Sequence, residues 1–319
     1  MLNFLFVIIG IVLLTFGGDA LIRGSLATAK RMRVSPLLCG LLIVGFGTSS
    51  PELAVSIDAA MNQRPDIAVG NVVGSNIGNI MLILGLCAVI SPLAVKPLVL
   101  RRDGMVVVAA TLLFVALVIG GVLSRIDAAL FLLALAAYLT WAYRTERYGH
   151  ASSAELHEAE AEELTNLPKR PMTMAGAILL GLALLIAGSQ VLLKGAVGIA
   201  ETLNVSEAVI GLTLVAVGTS LPELSVSIMA AFRRHADVAI GNILGSNIFN
   251  VLGILGISAL LQPLPVSERI LQFDQWVMLG VALLLMVFLY TGKRLSRIEG
   301  GLLLLGYIAY VALSFTAVS

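Results

Sequence analysis

The chain has 319 residues, of which 59% are hydrophobic and only 12% charged, with a mean hydropathy of +1.01. A water-soluble domain carries roughly 25% charge, so the composition excludes one, and lipid is the solvent it implies. The formal net charge of +1 gives no sign of a nucleic-acid partner.

Apolar stretches long enough to cross a bilayer, roughly 17–25 residues, fall near 3–22, 37–61, 66–90, 104–123, 126–143, 172–193, 208–232, 237–261, 274–291 and 298–317. The expected fold class is an all-α polytopic membrane protein with ten transmembrane helices. Met1 to Ala20 lacks the basic leader and cleavage site of a signal peptide and is expected to be retained as the first helix. If successive helices alternate in direction, the turns after odd-numbered helices hold Arg23, Lys30, Arg31, Arg33, Lys96, Arg101, Arg102, Arg144, Arg147, Lys169, Arg170, Arg233, Arg234, Lys293, Arg294 and Arg297, which is 16 of the 20 basic residues. Arg64, Arg125, Lys194 and Arg269 fall on the other side. That bias puts the 16 in the cytoplasm and both termini outside an inner membrane. Cys39 and Cys87 lie within predicted helices and read as small packing residues.

The sequence uses one unit twice, at an offset of 171. Gly47-Thr48-Ser49-Ser50-Pro51-Glu52-Leu53 returns as Gly218-Thr219-Ser220-Leu221-Pro222-Glu223-Leu224, and Gly10, Gly17, Gly24, Gly40 and Gly85 return as Gly181, Gly188, Gly195, Gly211 and Gly256. Between 47–60 and 218–231, 11 of 14 positions agree, polar residues included, which packing alone would not preserve. Five helices per half is odd, so the second half enters the membrane from the other face. The expected organisation is two five-helix inverted-topology repeats, 1–143 and 172–319, joined by an acidic cytoplasmic linker, 144–171. Inverted repeats of this kind carry a transport site near the midplane, at their junction. His150, His157 and His235 fall in loops without ligand spacing.

A glutamate inside an apolar helix costs about 2.5–3.5 kcal/mol on insertion scales. Glu52 and Glu223 bear that cost at matching positions, which points to one shared cationic ligand. Thr48, Ser49 and Glu52 share one side of the second helix, as Thr219, Ser220 and Glu223 do in the seventh. Pro51 and Pro222 each remove an N–H and loosen the carbonyls one turn back, those of Gly47 and Thr48 and of Gly218 and Thr219. Freed carbonyls at membrane depth are tolerated where they line a cavity. Helices 3 and 8 repeat Gly70-Asn71-x-x-Gly74-Ser75-Asn76-Ile77-x-Asn79 as Gly241-Asn242-x-x-Gly245-Ser246-Asn247-Ile248-x-Asn250, with seven of ten positions identical. Ser75, Asn79, Ser246 and Asn250 are expected at the level of the glutamates. Asn71, Asn76, Asn242 and Asn247 are either ligands or ties between helices. Two carboxylates and several neutral oxygens suit Ca²⁺, which takes 6–8 hard oxygen ligands in flexible geometry. The absence of intramembrane His or paired Cys disfavours Zn²⁺ and Cu⁺. Two negative charges balance one Ca²⁺, two Na⁺ or two H⁺.

These paired segments resemble the α-repeats of the Ca²⁺/cation antiporter superfamily, and among its members prokaryotic sodium/calcium exchangers of ten helices. The resemblance implies that Glu52 and Glu223 are shared cation ligands, with Thr48, Ser49, Thr219 and Ser220 beside them and Ser75, Asn79 and Ser246 completing Na⁺ sites. It also implies that helices 1 and 6 slide across the rest to switch access. One departure stands out: well-known sodium/calcium exchangers of the family have an aspartate at one of the positions matching Asn79 and Asn250, and here both are asparagine. The expected function is secondary active export of Ca²⁺ in exchange for Na⁺, with Ca²⁺ and Na⁺ as substrates, no cofactor and no enzymatic activity. Ca²⁺/H⁺ exchange, K⁺-dependent exchange and a cation channel are the alternatives.

Overall fold

The computed structural model describes residues 2–32, 34–95, 100–149, 167–203 and 216–316. The helices are α1 (Leu2–Met32), α2 (Pro36–Thr48), α3 (Ser50–Met61), α4 (Pro65–Ile90), α5 (Leu100–Gly120), α6 (Arg125–Gly149), α7 (Pro171–Thr202), α8 (Ala216–Thr219), α9 (Leu221–Phe232), α10 (Ala236–Leu261), α11 (Ile270–Gly292) and α12 (Arg297–Thr316). Eight of these are long and apolar enough to cross a membrane, and α2 with α3 forms a ninth candidate, bent by 43°. The expected span 208–232 is described only as α8 and α9, because its beginning lies outside the described residues, as do 150–166 of the expected linker.

The bend between α2 and α3 has a local cause. Pro51 has no N–H to return to Gly47, and the Ser50 hydroxyl donates to that carbonyl instead, at 2.7 Å. The Gly47 carbonyl, expected to be freed by the proline, is therefore already engaged. Ser49 at the break has φ −80° and ψ 10°, and Ser220 before Pro222 takes nearly the same values, −87° and 9°. The two breaks match, as the repeated sequence requires.

α1 and α7 run antiparallel in close contact. Gly10, Gly17 and Gly24 recur every seven residues, as do Gly181, Gly188 and Gly195, and each set lines the seam. A Cβ on Gly181 would stand 2.7 Å from the Leu21 nitrogen and 2.9 Å from the Gly17 carbonyl oxygen, so only glycine permits this backbone approach. Both helices outrun the sequence expectation, at 31 and 32 residues, or roughly 46–48 Å at 1.5 Å per residue. Arg23, Lys30 and Arg31, expected in the turn after the first helix, lie within α1. Lys30 and Arg31 occupy its last turn, where cations complement the carbonyl end of the helix dipole. Lys194, also expected in a turn, sits within α7 with its ammonium 5.1 Å from the Phe6 ring centre.

α4 and α10 form the centre of the molecule: 67% and 83% of their most apolar windows are buried, against 11% for α12. Both contain a wider turn with the π-helical pattern, Asn79–Leu84 and Phe249–Ile254. Two short antiparallel ribbons link the ends of the bundle: β1 (Leu93–Ala94) pairs with β4 (Arg294–Leu295), and β2 (Val122–Leu123) with β3 (Leu264–Pro265). Leu93 and Leu264 are 171 residues apart, so each half contributes the same strand to a different ribbon.

Arg102 was expected in a turn. It is instead buried at the start of α5, paired through Nε to Asp103 at 2.7 Å, and Tyr138 of α6 donates to the same carboxylate at 2.8 Å. In the other half Asp274, which matches Asp103 at the offset of 171, receives Arg269 at 3.1 Å and Tyr310 at 3.0 Å. Each half thus ties its last two helices together through a buried aspartate. A charge taken out of water needs a partner, and the helix end supplies an arginine.

Candidate cation site

The breaks after α2 and α8 bring the two halves face to face. Glu52, in the first turn of α3, and Glu223, in the first turn of α9, are both fully enclosed. Each carboxylate is held by the serine of the opposite half: Ser49 donates to Glu223 Oε1 at 2.9 Å, and Ser220 to Glu52 Oε1 at 3.0 Å. The offset of 171 relates these two bonds, so the site is built by reciprocal exchange between the repeats.

The asparagines of α4 and α10 support this pair. Asn71 donates to the backbone carbonyl of Glu52 at 3.1 Å and to Ser56 at 2.9 Å, and Asn242 repeats this with Glu223 at 3.2 Å and Ser227 at 2.8 Å. Both therefore act as ties that fix the glutamate-bearing turns. Thr48 donates toward Asn242 at 3.2 Å and the Gly45 carbonyl at 3.3 Å. Ser246 donates to the Gly45 carbonyl at 3.1 Å, and both Ser246 and Thr48 lie beside the Glu223 carboxylate. Ser75 approaches the Ser220 hydroxyl at 3.5 Å. Thr219 is half-buried directly before Ser220. The structure thus gathers Glu52, Glu223, Ser49, Ser220, Ser75, Ser246 and Thr48 around one point.

Asn79 opens one wide turn, Asn250 is the second residue of the other, and each reaches an asparagine of the opposite half. Asn79 donates to Asn247 Oδ1 at 3.0 Å, and Asn250 to Asn76 Oδ1 at 3.0 Å. With the amide nitrogens engaged, the oxygens remain. Four buried oxygens here have no hydrogen-bond partner: Glu52 Oε2, Glu223 Oε2, Asn79 Oδ1 and Asn250 Oδ1. They form two pairs related by the repeat. Orphaned buried acceptors are costly, and a set of four, all oxygen, is a donor set for a hard cation. Among the described residues, no three His, Cys, Asp or Glu side chains gather as a metal cluster.

A cleft reaches this region between α4, α9 and α12, lined by Gly74, Ser75, Gly78, Ser220, Leu224 and Tyr307 among others. In the other half Phe249 occupies the position of Gly78 and stacks on Phe46 with ring centres 4.4 Å apart. The internal repeat is broken there: Gly78 lines the cleft in one half, and the matching position of the other carries a stacked phenylalanine. That asymmetry was legible as the Gly78-to-Phe249 mismatch in an otherwise repeated motif, but its consequence was not.

The sequence model of the family described as sodium/calcium exchanger protein matches residues 2–144 and 173–316. The putative antiporter CaxA of Alkalimonas amylolytica is 38% identical over 318 residues, covering 98% of both chains. The sodium/calcium exchanger MaX1 of Methanosarcina acetivorans is 34% identical over 98% of each. Among solved structures, the sodium-calcium exchanger NCX_Mj superposes with a TM-score of 0.83 at 32% identity, covering 98% of each chain. With the family model matching both halves and full-length relatives above 30% identity, the chain belongs to the sodium/calcium exchanger family of membrane antiporters.

Proposed function

We propose that this exchanger exports Ca²⁺ in return for Na⁺, by alternating access at a midplane site centred on Glu52 and Glu223. The observation that carries this is the set of four partnerless, buried oxygens from Glu52, Glu223, Asn79 and Asn250. Two formal negative charges match one Ca²⁺ or two monovalent ions, so the same oxygens serve either cargo in turn, and an empty site is costly. Ser49, Ser220, Ser75, Ser246 and the Thr48 and Thr219 carbonyls supply further oxygens toward the 6–8 that Ca²⁺ takes. In the proposed topology ten helices form two inverted five-helix repeats, 1–143 and 172–319. The 144–171 linker lies in the cytoplasm, and both termini lie outside an inner membrane. The glycine seam makes α1 and α7 one sliding unit, and the serine–glutamate bonds between halves are remade as access switches.

The test is ⁴⁵Ca²⁺ uptake into proteoliposomes under imposed Na⁺, K⁺ or H⁺ gradients. Uptake driven by an outward Na⁺ gradient, without K⁺ and at equal pH on both sides, is the expected result. Uptake driven by a pH gradient in Na⁺-free medium would replace Na⁺ with H⁺ as the counter-ion, a K⁺ requirement would make exchange K⁺-dependent, and high unitary conductance would make the protein a channel.

A further inference from the structure

We propose that Asn76 and Asn247 are positioning residues which decide that Asn250 and Asn79 present oxygen, not nitrogen, to the transported cation. This rests on the ligand set proposed above. A carboxylate offers oxygen whichever way it turns. An amide does not: its two ends have nearly the same shape, but only one accepts, and the other carries two donor hydrogens that repel a cation. With asparagine in both positions, something must hold each amide the right way round.

The structure contains that device, built across the two halves. Asn250 Nδ2 donates to Asn76 Oδ1 and Asn79 Nδ2 to Asn247 Oδ1, each at 3.0 Å. The two orienting amides are themselves pinned: Asn76 Nδ2 donates to the Asn247 backbone carbonyl at 3.2 Å, and Asn247 Nδ2 to that of Asn76 at 3.3 Å. All four side chains are at most 2% exposed, so water does not substitute for any of these partners. Turning Asn250 over would set its Oδ1 against Asn76 Oδ1, two acceptors facing each other, and aim its NH₂ at the ions. Each half therefore orients the ligand of the other. The wide turn Asn79–Leu84 begins at Asn79, and Asn250 is the second residue of Phe249–Ile254; wide turns commonly mark functional positions.

The test is a double-substitution cycle on the full-length protein, reading Ca²⁺ affinity by calorimetry together with KM and kcat of Ca²⁺ flux. Asn76→Ala is expected to weaken Ca²⁺ binding about tenfold, the size of one lost buried hydrogen bond and a misdirected amide, raising KM more than it lowers kcat. In an Asn250→Asp background the same Asn76→Ala change is expected to alter affinity less than twofold, because a carboxylate needs no orienting. An equal loss in both backgrounds, or none in the parent, overturns the assignment. Asn250→Ala separates this from failure of the ligand set: if it leaves Ca²⁺ affinity unchanged, Asn250 is not a ligand and the site itself is wrongly drawn. Should Asn76→Ala not fold, the mirror cycle of Asn247→Ala with Asn79→Asp asks the same question with the same expected values.

Discussion

Replacing Glu52 with glutamine keeps the shape of the side chain and removes one of two charges. In the structure Glu52 Oε1 is held by Ser220 at 3.0 Å and Oε2 is buried without a partner. If the new amide turns its nitrogen to Ser220, its oxygen still faces the ions, so the substitution isolates charge from geometry. A carboxylate about 2.4 Å from a divalent ion contributes on the order of 14 kcal/mol of Coulomb attraction at an effective dielectric of about 20. Most of this is offset by the water the ion gives up. Even if only a fifth survives, about 3 kcal/mol, the loss of affinity exceeds roughly a hundredfold at about 1.4 kcal/mol per decade. Glu223→Gln is expected to do the same, since Glu223 is held in the corresponding way, with Ser49 at 2.9 Å and Oε2 unpartnered. The assay is Na⁺-driven ⁴⁵Ca²⁺ flux in proteoliposomes, with Ca²⁺ affinity measured on the same purified variants and a monodisperse gel-filtration profile showing that they insert and fold. Near-normal flux and affinity in either variant would refute a site shared by two glutamates.

Gly181→Val puts a branched side chain where a single Cβ already stands 2.7 Å from the Leu21 nitrogen; thermal unfolding in detergent should show a loss of about 1–3 kcal/mol, typical of overpacking, and an unchanged melting temperature would deny the α1–α7 backbone seam. Asp103→Asn removes a carboxylate charge that pairs with the buried Arg102 guanidinium, and the cost expected for breaking such a pair is about 3–5 kcal/mol; denaturation within 1 kcal/mol of the parent would contradict the pairing. For orientation, a cysteine introduced at Ser152 should be shielded from impermeant thiol reagents in intact cells while one at Ser319 is labelled, and the reverse pattern would exchange the two faces of the site.

How much of this was legible beforehand differs from residue to residue. Glu52 and Glu223 announced themselves because an ionisable residue in an apolar helix is rare and the sequence repeats it with its neighbours intact. The prolines foretold the breaks at Ser49 and Ser220, but not that the Ser50 hydroxyl would take up the Gly47 carbonyl. Ser49 and Ser220 were expected beside the glutamates of their own helices; their hydroxyls instead serve the glutamates of the opposite half. Asn76 and Asn247 stood out only as amides that either bind or tie. Arg102 looked like a cytoplasmic charge, although Asp103 next to it was a hint that the pair could be buried.

The sequence by itself determined the solvent, the approximate positions of the crossings and the existence of a doubled unit, because these depend on composition, periodicity and self-similarity along one chain. It also determined which residue types are expensive in lipid, and hence where a site would be. Only the tertiary structure decided which atom of each of those residues is spoken for. Glu52 and Ser220 are 168 residues apart, as are Asn79 and Asn247; no local spacing encodes their contact. A carboxylate oxygen or an amide oxygen becomes a free ligand only when every competing donor around it has been assigned elsewhere. That assignment is made by the packing of α4 against α10 and of each half against the other.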